Sequence, residues 1–161
     1  MLEAVADAGP LIHLDEIGLG EALHVFRRIV VPHEVADEIR TQPRGPGTSL
    51  LRQPHVHVTK ASKEELAAAD EVRFRRLSAT DRIALVMAQS RDAPLLTDDL
   101  DMRDAAGTLE VRAVGTIGLI VRAATTKLVT RDQARAALDR LLTDSSMFIT
   151  KALVERAKSA L

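Results

Sequence analysis

The chain has 161 residues, 46% of them hydrophobic and 28% charged, with a net charge of −1. That is enough apolar chain to bury a core, in proportions ordinary for a soluble globular protein. The absence of cysteine excludes disulfides, thiolate zinc sites and thiol catalysis, and the lack of basic excess argues against a generic polyanion-binding surface without excluding a local Arg patch.

The first predicted element is a short apolar strand, residues 4–6, in the stretch VADAGPLIHL (5–14). Met1 to Val5 carry no basic leader region, so no signal peptide is expected. Asp7 closes the strand, and Ala-Gly-Pro then opens a new apolar run. A buried, unpartnered carboxylate is costly, so Asp7 either caps the next helix or awaits a metal ion. Residues 29–31 read as a second strand, buried on both faces. Pro32 suits the first turn of the helix that follows, with Val35, Ala36 and Ile39 inward. Glu38 lies on that helix beside Asp37 and one turn after Glu34, where it is either a site acid or a solvated face residue. Residues 41–54 are rich in Pro, Gly and Arg and read as an exposed, mobile loop flanked by Arg40, Arg44 and Arg52.

A third strand is expected at 56–58, where His55 and His57 share one face without a further metal ligand in view. His13, His24 and His33 are scattered and receive no role. Residues 62–76 have the pattern of a charged amphipathic helix carrying Arg73, Arg75 and Arg76, either an RNA track or a solvated face. Ser78-Ala-Thr-Asp81 has the form of a capping box opening another helix, whose inward face is Ile83, Ala84, Met87 and Ala88. A fourth strand at 94–96 leads into Thr97, Asp98, Asp99 and Asp101 and a helix over 97–106, which one of these acids should cap. The fifth strand is placed at 111–114, and helices at 116–124, 131–142 and 147–161 finish the chain. In the last of these, Met147, Phe148, Ile149, Leu153 and Val154 read as helix core or dimer contact. The best apolar run, 113–121, is too short to span a membrane, so a cytoplasmic protein is expected. With no Trp or Tyr, stacking on an aromatic platform is not expected to dominate any nucleic-acid binding.

Strands alternating with helices predict one α/β domain over 1–161 with a mostly parallel sheet. Ligands of such sheets bind beyond the carboxyl ends of the strands. Asp7, Glu38, Asp81 and Asp99 all fall there or on adjoining helices, with Asp98 competing for the last place. A cluster of like charges requires hard divalent cations, and carboxylate oxygens suit Mg²⁺ or Mn²⁺. Phosphodiester hydrolysis is the chemistry such a centre supports. Thr97 and Thr116 are placed to hydrogen-bond a carboxylate or to cap helices, and Arg103 to meet a phosphate or an acid.

Taken in order, VADAGPLIHL, VVPHEVADEI (30–39), LSATDRIALVMA (77–88), APLLTDDLDMR (93–103) and VRAVGTIGLIVRA (111–123) resemble the PIN-domain family, in particular its compact prokaryotic VapC-like toxin branch. The resemblance covers nearly the whole chain. It implies a three-layer α/β/α fold around a five-stranded parallel sheet. It also implies an Mg²⁺- or Mn²⁺-dependent endoribonuclease that leaves 5′-phosphate and 3′-hydroxyl ends and is held by a protein antitoxin, with a homodimer as a frequent form. Asp7, Glu38, Asp81 and Asp99 match the four family acids. Asp81 departs from a Gly-x-Gly-Glu setting, with a shorter side chain and Ser78-Ala79-Thr80 before it. The rival expectation is a PIN-like module that holds RNA or a protein without cutting. A receiver-type phosphotransfer domain fits less well, because Asp7 has no second acid beside it and no lysine follows the last strand in 115–120.

Overall fold

Five parallel strands pair in the order β3-β2-β1-β4-β5: β1 Glu3–Ala6, β2 Arg28–Pro32, β3 Val56–Thr59, β4 Leu95–Leu96 and β5 Ala113–Val114. The computed structural model describes residues 2–161; Met1, the first residue of the stretch read against a leader, lies outside them. The central strands β1, β2 and β4 are almost wholly buried, as their unbroken apolar runs require in a parallel sheet covered on both sides.

Eight helices surround the sheet: α1 Ala8–Glu16, α2 His33–Arg40, α3 Lys63–Glu71, α4 Ala79–Ser90, α5 Leu100–Thr108, α6 Thr116–Thr125, α7 Arg131–Thr143 and α8 Lys151–Ser159. Helices α1, α6, α7 and α8 pack with one another, α3, α4 and α5 form a second group, and α2 touches both α1 and α4. The result is a three-layer α/β/α architecture. Two short 3₁₀ turns, Gly20–Val25 and Leu50–Arg52, fill the remaining connections.

Several boundaries differ from the sequence pattern. The helix expected over 62–76 stops at Glu71, because the chain then unwinds to bring Phe74 and Leu77 onto the core. Its start is a capping box between Ser62 and Glu65, and Glu65 also accepts from Ser90 and pairs with Arg91. Thr97 prolongs the strand ladder, its N–H bonding Val114 O at 3.0 Å, and Asp99 is the N-cap, so α5 begins only at Leu100. The final helix starts at Lys151, capped by Thr150, rather than at 147. Residues 41–54 are not a free loop: Leu50 and Leu51 are buried, and Asp15 accepts from Gly47 N–H at 2.6 Å and Ser49 Oγ at 3.0 Å. Gly47 has a φ of +92°, and a Cβ there would press Ile39 at 3.2 Å, so this turn needs glycine.

Candidate functional site

The strand order reverses direction between β1 and β4, the position where open parallel sheets form ligand crevices. Asp7 leaves β1 and Thr97 leaves β4 at this point. The ladder runs one residue beyond the strands, with Asp7 N–H bonding Leu96 O at 2.9 Å, and so sets the two side chains next to each other. Thr97 is fully buried and its hydroxyl donates to Asp7 Oδ2 at 3.1 Å. Asp7 Oδ1 accepts from Ala8 N–H at 2.8 Å, which makes Asp7 the N-cap of α1. One carboxylate therefore caps a helix with one oxygen and turns the other to the crevice.

Two further acids reach the same edge by different routes. Helix α2 starts at the carboxyl end of β2, and Glu38 sits in its second turn, exposed. Helix α4 runs back toward the start of β4, so its first turn lies at the carboxyl edge of the sheet. Asp81 occupies that turn in a complete capping box: Ser78 N–H donates to Oδ2 at 2.9 Å, and Asp81 N–H donates to Ser78 Oγ at 3.1 Å. Among the described residues no hydrogen bond reaches its Oδ1. Burial, aided by the charges of Asp81 and Glu38, pushes the Asp7 carboxyl up from 3.8 to about 6, against the hydrogen bonds from Ala8 and Thr97. Among the described residues no Lys, Arg or His forms an ion pair with Asp7, Glu38 or Asp81. Asp81 and Glu38 each oppose the charged form of Asp7, and no three His, Cys, Asp or Glu among the described residues stand together as a ready-made metal cage.

The two aspartates after β4 divide their work. Asp99 is exposed and caps α5, accepting from Met102 N–H at 2.9 Å through Oδ1. The neighbouring charges that act most on Asp7 are those of Asp81 and Glu38. Asp98 turns the other way. Its carboxylate accepts from Thr116 N–H at 2.7 Å, Thr116 Oγ1 at 2.5 Å and His13 Nδ1 at 2.7 Å. The N-cap of α6 is Gly115, which has no side chain, so Asp98 caps that helix from a different element. Burial raises the Asp98 carboxyl, but the bonds from His13 and Thr116 outweigh it and hold the group below the usual carboxylate range. Arg103 Nη1 donates to Thr97 O at 3.4 Å and lies beside Gly115, where a Cβ would stand 2.9 Å from both Arg103 Nη1 and Asp98 Oδ1.

The structure thus groups Asp7, Glu38 and Asp81, ties Thr97 to Asp7, and ties Thr116 to Asp98. It places Asp99 at a cap and Arg103 against the backbone of Thr97. His13 belongs to this edge although it received no role in the sequence reading. Its partner lies 85 residues away, so no local pattern points to the contact.

A family model described as a PIN domain matches residues 3–161. The chain belongs to the PIN-domain family. The match runs from β1 through α8 of this PIN domain and thus includes the whole acidic edge. No curated protein matches the chain. PIN domains are in general nucleases that use divalent metal ions, and the donors here suit such ions: all three grouped side chains are hard carboxylates, and the deepest of them resists ionising without a cation. Among the described residues of this PIN domain, no helix is long and apolar enough to cross a membrane.

Proposed function

We propose that this PIN domain is an Mg²⁺- or Mn²⁺-dependent endoribonuclease, acting in the cytoplasm as the toxin of a toxin–antitoxin pair. The observation that carries the reading is the grouping of Asp7, Glu38 and Asp81 at the switch point of the sheet, where the charges of Asp81 and Glu38 help hold the buried Asp7 carboxyl up at about 6. Asp7, Glu38 and Asp81 would hold the ion, and Asp99 would complete the set from the α5 N-cap through its unused oxygen. A bound divalent ion supplies positive charge that acidifies a water and stabilises the leaving oxygen. Thr97 orients Asp7 by its hydroxyl, and the cap to Ala8 fixes the other oxygen, so the carboxylate cannot rotate away. Arg103, which forms no ion pair among the described residues, is available to a phosphate. A protein antitoxin and a homodimer accompany this reading on the strength of the VapC-like resemblance.

One observation favours a second reading, a PIN-like module that binds without cutting: one Asp81 oxygen is already committed to Ser78 N–H. The test is cleavage of a mixed structured RNA by partner-free protein in Mg²⁺, Mn²⁺ or EDTA, with Asp7→Asn and Asp99→Asn alongside. Metal-dependent fragments from the wild type that vanish in Asp7→Asn, with circular dichroism unchanged, are expected. An Asp7→Asn protein that still cleaves and binds metal would refute the assignment, and metal-independent RNA binding without fragments would select the binding module.

A further inference from the structure

Residues 147–150, expected to open the last helix, instead belong to an extended strap over 145–150 that is pinned at both ends. Ser146 donates to Glu16 through its N–H at 3.0 Å and its Oγ at 2.8 Å, Ser145 Oγ bonds Leu141 O, and Thr150 caps α8. Side chains alternate along it: Met147 and Ile149 pack on the core, while Phe148 between them is fully exposed at 103%. The ring is thus held outward by neighbours that are held inward. It lines a groove of about 560 Å³ with Leu100, itself 76% exposed, Ile117, Leu153 and Arg103. Asp98 and Gly115 also line it, and Leu100 directly follows Asp99, the acid that caps α5. The groove continues along α6 and α8 past Arg122 and Arg156. None of these three arginines makes an ion pair among the described residues.

We infer that Phe148 and Leu100 form a stacking slot for one unpaired base of single-stranded RNA, with Arg103 on the adjoining phosphate. An exposed aromatic, apolar walls and unpaired arginines ask for an occupant with flat apolar faces and regular negative charge. Continuity with the acidic edge asks for one that reaches both places, and a single strand satisfies all three demands. A chain with no Trp or Tyr has no aromatic track, so the slot takes one base and fixes register rather than supplying bulk affinity. The inference rests on the ribonuclease reading and adds to it where the substrate's neighbouring nucleotide lies.

The missing tryptophan provides the test. Phe148→Trp introduces a single fluorophore into the slot, to be titrated with unstructured oligoadenylate in EDTA, with anisotropy of labelled RNA as an independent measure of binding. Phe148→Ala is assayed for cleavage in Mn²⁺. Saturable quenching, together with a KM raised about tenfold and kcat within about twofold in Phe148→Ala, is expected. Melting of Phe148→Ala should match the wild type, since the ring packs on nothing. Wild-type cleavage with an unaltered Phe148→Ala and constant emission while RNA binds would overturn the slot and leave the nuclease standing. A wild type that neither binds nor cleaves RNA would remove the nuclease and the slot with it. Emission that changes with protein concentration without RNA, alongside a doubled mass in sedimentation, would make the groove a self-association face and overturn the proposal.

Discussion

Asp7 holds two roles that compete in its energetics. Capping α1 favours the charged form, while burial and the two neighbouring acids oppose it, and the opposition wins by moving its ionisation from 3.8 to about 6. Between those values the folded chain holds a proton that the unfolded chain releases, so this group's contribution to stability falls as pH rises through the window. Asp7→Asn keeps a capping side chain and removes the charge. The metal-free variant should therefore be more stable than wild type above pH 6, by on the order of 2–3 kcal/mol, and the gain should shrink toward pH 4 in thermal melts. Asp98 behaves oppositely. Its lowered ionisation stabilises the fold above the ordinary value of 3.8, and that stabilisation is lost as acid protonates it. His13→Ala removes one of its three donors and should cost roughly 1–3 kcal/mol near neutrality, with the acid limb of unfolding moved to higher pH. At this scale the sequence showed the acids but not their division of labour. Asp98 and Asp99 are adjacent and chemically identical; only the direction of each side chain makes one a buried clamp and the other an exposed cap.

At the scale of elements, strand positions and most helix positions followed from apolar runs and cap signals. Ser78-x-x-Asp81 is a box in the structure as in the sequence, and it does more than start α4: it sets Asp81 at the sheet edge with one oxygen free. Ser78→Ala should cost about 1 kcal/mol, lowering the melting temperature by about 2–4 °C, and should weaken Mn²⁺ affinity more than its small stability loss alone would suggest. Calorimetric titration beside a melt separates the two effects. The boundaries that moved did so for tertiary reasons. Phe74 and Leu77 leave the α3 helix because core burial outweighs local helix propensity. Residues 145–150 are extended because Glu16 grips Ser146, a contact across 130 residues that no local pattern encodes.

For the whole molecule, strand order decides where the chemistry can be. With β1 flanked by β2 and β4, the helices on either side start from one edge and bring their first turns together there. Positive helix ends at that edge partly offset the acids, and a divalent cation would offset the rest. Mn²⁺ should raise the melting temperature of the wild type progressively with concentration, more strongly above pH 6 than below because Asp7 must lose its proton, and should leave Asp7→Asn unmoved. Apolar runs, the Ser78-x-x-Asp81 box and the ordered motifs were enough for the α/β alternation, the buried strands, the start of α4 and the family, because these depend on residues close in the chain or on motif order, whereas the boxes that open α3 and α7 became visible only in the structure. The meeting of Asp7, Glu38 and Asp81, the clamp of Asp98 by His13 and Thr116, the pinning of the 41–54 loop by Asp15, and the outward Phe148 were decided by tertiary structure alone. Each depends on the direction of a side chain toward a partner tens of residues away, and that direction is fixed only when the sheet has set its order and register.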